Sequence, residues 1–192
     1  MNVIGCARSL LCLAVTLSPA AVWAGPREEV TASIDKFLAA RSFHATMSST
    51  GERPMRNDID YAAPGRYRMR MAGAGEQTVV GDTMYLNVGG RSMKVPLPQG
   101  TLSQWRDPAR LAENAKTMSV TALGSESLDG VATRKYRVDH TQPQASTMTL
   151  WVGGNGYPLQ IVTSAQLRGK PVVTTIRYSR FDDPGIRVEL PK

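Results

Sequence analysis

Thiol chemistry has almost no material in this chain: two of its 192 residues are cysteine, Cys6 and Cys12, and both fall in the first 24. The rest of the sequence offers neither a disulfide nor a thiolate nucleophile, although an oxidising compartment would permit disulfides. Histidine is equally scarce, with His44 and His140, both expected at strand positions turned away from the apolar stripe. No His-x-x-x-His pair or carboxylate cluster accompanies them, so the sequence points to no metal. The serines lack a Gly-x-Ser-x-Gly elbow, which removes the usual signature of a hydrolase triad. Gly73-Ala74-Gly75 leads into a strand-like stretch instead of a helix, so it does not read as a phosphate cradle. Asn57-Asp58-Ile59-Asp60 could offer oxygen ligands, but alternating carboxylates read as a solvated strand face. A block of lysine and arginine is also missing. The 23 basic against 16 acidic residues, a net charge of +7, are spread along the chain. That argues against nucleic acid as a partner and leaves an anionic membrane surface or an acidic envelope protein. Together these absences read as a protein that is not an enzyme and uses no cofactor.

Long apolar runs are missing too, except Leu10 to Ala24, which is too short to span a bilayer stably. Arg8 precedes it, Pro19 breaks it, and Val22-Trp23-Ala24 places tolerated small residues at the reading positions of a signal peptidase. Residues 1–24 therefore read as a signal peptide and 25–192 as one exported, periplasmic domain. Cys12 is not placed for lipidation, because no small residue precedes it and the apolar run follows it. The intact mass of the exported protein should match a chain starting at Gly25 without an acyl group. A membrane-bound, acylated form retaining Cys12 would contradict this.

Beyond the signal, Pro26-Arg27-Glu28-Glu29 opens a helical pattern in which Val30, Ile34, Phe37 and Leu38 share a face, to about Arg41. From Ser42 the period changes to two. The clearest strand is Arg66 to Met71, with Arg66, Arg68 and Arg70 on one face and Tyr67, Met69 and Met71 on the other. Gly89-Gly90 reads as a hairpin turn. Alternation lapses between Pro98 and Lys116, where Leu102, Trp105, Leu111 and Ala112 suggest helical pieces, then resumes in strands through Tyr178 and a last short one at 186–190. The order is a helix, about five strands, helices, then about six strands. It predicts an α+β domain: a large curved antiparallel sheet, or half-barrel, with helices covering its concave face.

Two surfaces stand out. Eight of the nine methionines lie beyond residue 24, several on inward strand positions, and flexible, polarizable methionine suits variable apolar ligands. Phe43, Met47, Tyr67, Met69, Met71, Met84, Leu86, Trp105, Tyr136, Met148, Leu150 and Ile161 are the candidate ligand-binding residues, with Trp105 in the covering segment. Arg66, Arg68 and Arg70, extended by Lys135, Arg137 and Arg177, form a basic stripe. It reads either as a solvated face that blocks edge aggregation or as a docking surface for anionic headgroups.

Ser42-Phe43-His44-Ala45-Thr46, Ala63-Pro64-Gly65-Arg66-Tyr67-Arg68 and Val80-Gly81-Asp82-Thr83-Met84-Tyr85 resemble the periplasmic outer-membrane lipoprotein carrier (LolA/LolB-like) superfamily. So do residues 128–136, Leu150-Trp151-Val152, Gly156-Tyr157-Pro158-Leu159 and the terminal 186–191. The resemblance implies an eleven-stranded half-barrel lidded by helices, holding acyl chains of lipids or lipoproteins, in a monomer that serves outer-membrane biogenesis. It also leaves open an interaction module, a stress sensor or inhibitor using the scaffold without a ligand, because fold alone does not choose. In the carrier, an arginine just before the proline of the turn helps to hold the lid closed. Ala63 stands there in this chain, which puts that switch in doubt.

Overall fold

The computed structural model describes residues 25–190 apart from 52, 53, 74, 89, 90, 100–105, 142–144 and 168. Helix α1 (Pro26–Ala39) is followed by β1 (Ser42–Ser49), β2 (Met55–Ala62), β3 (Arg66–Met71), β4 (Gly75–Val80), β5 (Thr83–Val88) and β6 (Arg91–Pro96). Helix α2 (Pro108–Lys116) then leads to β7 (Met118–Leu128), β8 (Val131–His140), β9 (Ser146–Gly153), β10 (Pro158–Leu167) and β11 (Lys170–Ser179). Six strands precede α2 and five follow it, where the sequence suggests about five and six. Gly75–Val80 is a full strand, and 186–190 is not one.

That last segment shows why alternation alone misleads. Ile186 and Val188 are buried while Arg187 and Glu189 are exposed, as a strand would have them. The sheet, however, runs β6-β5-β4-β3-β2-β1-β11-β10-β9-β8-β7, so its free edges are β6 and β7. The chain leaving β11 starts from an interior strand, already paired with β1 and β10, and 186–190 pairs with no strand.

All the pairings are antiparallel, and tight turns make most of them. At the tip of β7–β8, Asp129 and Gly130 have φ of 51° and 84°, the double positive φ of the hairpin turn that matches strand twist. α1 has Pro26 at its start, Glu28 and Glu29 in its first turn and Lys36 in its last, all favourable to its dipole. Its buried residues, Val30 and Ser33, face the sheet. Val30 joins Met118, Tyr136, Val138, Leu150 and Val152 in one cluster, with Ile34 packed against it. Phe37 packs against a second cluster of Phe43, Ala45, Tyr61, Tyr67 and Val79.

The link between β6 and β7 joins opposite edges of the sheet, and two sets of bonds fix its path. Arg106 donates from Nη2 to the carbonyls of Phe37, Leu38 and Ala40 at the C-terminal end of α1. Arg27, at the other end of α1, donates to the carbonyl of Ala115 at 2.8 Å, the last turn of α2. Residues 106–116 therefore run antiparallel beside α1. Each arginine meets orphan carbonyls at a helix terminus.

Candidate functional site

Register turns the strand alternation into rows that cross the sheet. One row reads Phe43, Tyr61, Tyr67, Val79, Met84 and Val95 across β1 to β6. The next reads Tyr178, Ala45, Ile59, Met69, Gln77, Leu86 and Met93. A third reads Tyr136, Leu150, Ile161, Ile176, Met47, Asn57 and Met71. Met148 lies one step beyond, opposite Val138. The structure thus brings eleven of the twelve candidate residues to the face that carries α1. Trp105 lies outside the described residues.

The two halves of this face differ. Over β9–β11, α1 leaves an apolar slot of about 60 Å³, walled by residues such as Ile34, Phe37, Leu150, Ile161 and Tyr178. Over β3–β6, Met69, Met71, Met84 and Leu86 are half-buried and Met93 is 50% exposed. Between the halves stands an aromatic ladder. Phe37, Phe43, Tyr61 and Tyr67 follow one another with ring centres 5.0–5.1 Å apart. Tyr178 meets Phe37 edge-on at 5.2 Å. Burial pushes the phenols of Tyr67 and Tyr178 up to about 12, so both stay neutral. At the far side of α1, the Tyr136 hydroxyl donates to Glu29, which also pairs with Arg134.

Sequence reasoning missed Arg106. Its guanidinium carbon lies 4.2 Å from the Tyr61 ring centre, 4.7 Å from Phe37 and 5.4 Å from Phe43. Nothing in Trp105-Arg106-Asp107-Pro108 announces this. The Asp107-Pro108 pair does announce the start of α2, which Asp107 caps by accepting from the Ala109 amide at 2.9 Å.

The opposite face carries the basic stripe, and its cations are matched. Asp60 is buried between them: His44 Nδ1 lies 2.7 Å from one carboxylate oxygen, and Arg68 is 2.8 Å and Arg70 3.6 Å from the other. Burial alone would raise this carboxyl, but the bonds to His44 and Arg68 outweigh it and hold it below its ordinary range. Arg66 donates to the Val188 carbonyl. Lys135 pairs with Glu126, Arg137 with Asp139 and Arg177 with Asp129. Trp151 lies buried on this face, its indole N–H 3.2 Å from Glu126 and Lys135 over its ring.

His44 faces away from the apolar rows as expected, but His140 does not. It stands two residues from Val138, opposite buried Met118, and its Nδ1 is buried without a partner among the described residues. Among those residues no group of three His, Cys, Asp or Glu side chains converges as metal ligands would. None of their helices is long and apolar enough to cross a membrane.

No family model and no curated protein matches the sequence. Solved structures do. The lipoprotein LppX of Mycobacterium tuberculosis matches with a TM-score of 0.65 at 16% identity, over 85% of this chain and 97% of LppX. LprF of Mycobacterium bovis matches at 0.61 and 15% identity, over 87% of this chain and 96% of LprF. MucB matches at 0.50 and 12% identity, over 85% of this chain and 62% of MucB. At these identities the likeness establishes the fold alone, the one that this chain shares with LppX and LprF.

Proposed function

We propose that this is an exported periplasmic protein, matured by removal of residues 1–24, that carries acyl chains of lipids or lipoproteins on its helix-bearing face. One observation carries the reading. The apolar rows run past α1 across β3–β6, where Met69, Met71, Met84 and Leu86 are only half-buried. A sheet that needed these side chains solely for its core would bury them. A run of methionines with freedom to move suits a ligand of variable shape. On this reading the segment between β6 and α2, where Trp105 lies in the sequence, covers this surface on the concave side of a half-barrel. Arg106 fastens it to α1, from a different strand connection than the arginine that Ala63 replaces.

The tightness of the slot over β9–β11 favours a second reading, in which the scaffold is an interaction module for another envelope protein. Organic extraction of protein purified from the periplasm, followed by mass spectrometry, separates the two. The carrier is expected to yield bound lipid. Fluorescence adds a position: once Trp23 leaves with the signal, Trp105 and Trp151 remain. Trp151 is on the polar face, so a fatty acid should shift emission in the parent and leave Trp105→Phe nearly unchanged. Binding with no contribution from Trp105 would move the cover elsewhere, and no bound lipid at any concentration below aggregation would favour the interaction module.

A further inference from the structure

A second cavity, of about 290 Å³, opens beside the aromatic ladder, with Leu38, Tyr61, Tyr67, Asp82 and Arg106 in its walls. It differs in kind from the slot under α1, because a guanidinium, a carboxylate and two tyrosines wall it. It also adjoins the apolar rows directly: Tyr61 and Tyr67 belong to the row that continues to Val79 and Met84. Phe37 connects the two, stacking on Arg106 and walling the slot.

Arg106 is more than a helix cap. Its Nη2 serves the three carbonyls of α1, whereas Nη1 is buried without a hydrogen-bond partner among the described residues. Guanidinium has five donors and no acceptor, and a buried nitrogen of this kind is normally satisfied. The aromatic faces of Tyr61 and Phe37 stabilise the charge but accept no conventional hydrogen bond. An oxyanion is the simplest complement. The pocket's phenols add neutral donors, and an oxyanion takes charge-assisted bonds from arginine. Asp82, which has interactions of its own, suits a headgroup carrying a hydroxyl or ammonium beside the anion.

We propose that the Arg106–Tyr61–Tyr67 pocket receives the anionic headgroup, phosphate or carboxylate, of an amphiphile whose chain lies on the apolar face. This rests on the acyl-chain reading and adds to it a polarity: the head sits at the C-terminal end of α1, and the chain runs away from it. Sequence gave no hint of it, because the pocket joins the β2–β3 and β4–β5 turns to a link distant from both in the chain.

The test uses the mature protein and four single-chain probes of equal length, titrated calorimetrically below their micelle thresholds: dodecyl phosphate, laurate, dodecyl maltoside and dodecyltrimethylammonium. The two anions are expected to bind about tenfold or more tighter than the maltoside, and the cation weakest. Arg106→Gln should erase that preference. Since this variant also uncaps α1, Tyr67→Phe, which keeps the ring, is run beside it and should reduce the preference with the fold intact by thermal melting. A preference for phosphate over laurate, or the reverse, would identify the head within the class. Equal binding of all four probes would overturn the headgroup site and leave the carrier standing, as would an anion preference that survives in both variants. No binding of any probe would overturn both.

Discussion

Leu86→Glu is expected to weaken binding of a long-chain fatty acid by about thirtyfold or more, since desolvating an unpaired carboxylate against an acyl chain costs at least ~2 kcal/mol. Leu86 lies between Gln77 and Met93 in its row and is half-buried, so the variant can hydrate its carboxylate in the empty protein and fold. Only a bound chain would strip that water away, which makes the effect specific to binding. Tyr85→Glu is the control. It is adjacent in sequence but points to the opposite face, across from Thr78 and Lys94, and should bind like the parent. The readout is a fluorescence or calorimetric titration of both variants. Equal affinities in Leu86→Glu and the parent would remove the apolar rows of β3–β6 from the site.

The contrast between these two neighbours depends on the part of the fold most legible in the sequence. Period-two alternation from Ser42 onward assigned Phe43, Tyr67, Met69, Met84 and Leu86 to one face, and register confirms that they share it. What alternation cannot supply is who stands opposite. Arg68 reads as a free surface charge until Asp60 is seen to be its cross-strand neighbour. Likewise Asp60, judged a solvated carboxylate from its alternating neighbours, is buried beneath His44, Arg68 and Arg70 because each adjoining strand presents one or two partners there. The basic stripe that suggested docking is thus largely matched within the sheet. A net positive field remains from composition, but it is not concentrated on Arg66, Arg68 and Arg70.

His140 and Arg106 were illegible for different reasons. His140 ends its strand, where a polar residue on an apolar face looks like the wrong face; the burial of Met118 opposite it, set by α1, decides the matter. Arg106 sits outside any periodic segment, and its partners are backbone carbonyls 66 to 69 residues away and aromatic rings from α1, β1 and β2. Carbonyls carry no sequence signal. The two-halved character of the apolar face was hidden for the same kind of reason. A 14-residue helix covers only part of an eleven-stranded sheet, and which part follows from where Glu29, Arg27 and Phe37 are held.

Asp60→Asn should destabilise the domain by about 2 kcal/mol at pH 7, the scale for losing hydrogen bonds to a charged group inside a buried network. Asparagine keeps the shape but brings no charge, leaving Arg68 and Arg70 without their shared anion and placing an amide where His44 expects an acceptor. The pH dependence gives a sharper signature. The Asp60 carboxyl is held below its ordinary value in the folded protein, so the unfolded chain takes up its proton first as pH falls. The stability it contributes is therefore complete above the unfolded pKa of about 3.9 and drains away as pH falls through the lower folded value. Asp139, Asp182 and Asp183 are lowered as well, by bonds first from Thr147, Tyr157 and Arg180 respectively, so the parent should lose stability in acid through several groups. Asp60→Asn removes one of them. Urea unfolding at pH 7, 5.5 and 3 should show a gap between parent and variant that is constant at the first two pH values and narrows at the last. A gap that widens in acid would mean that Asp60 is protonated in the folded state and that Arg68 and Arg70 are held by something else.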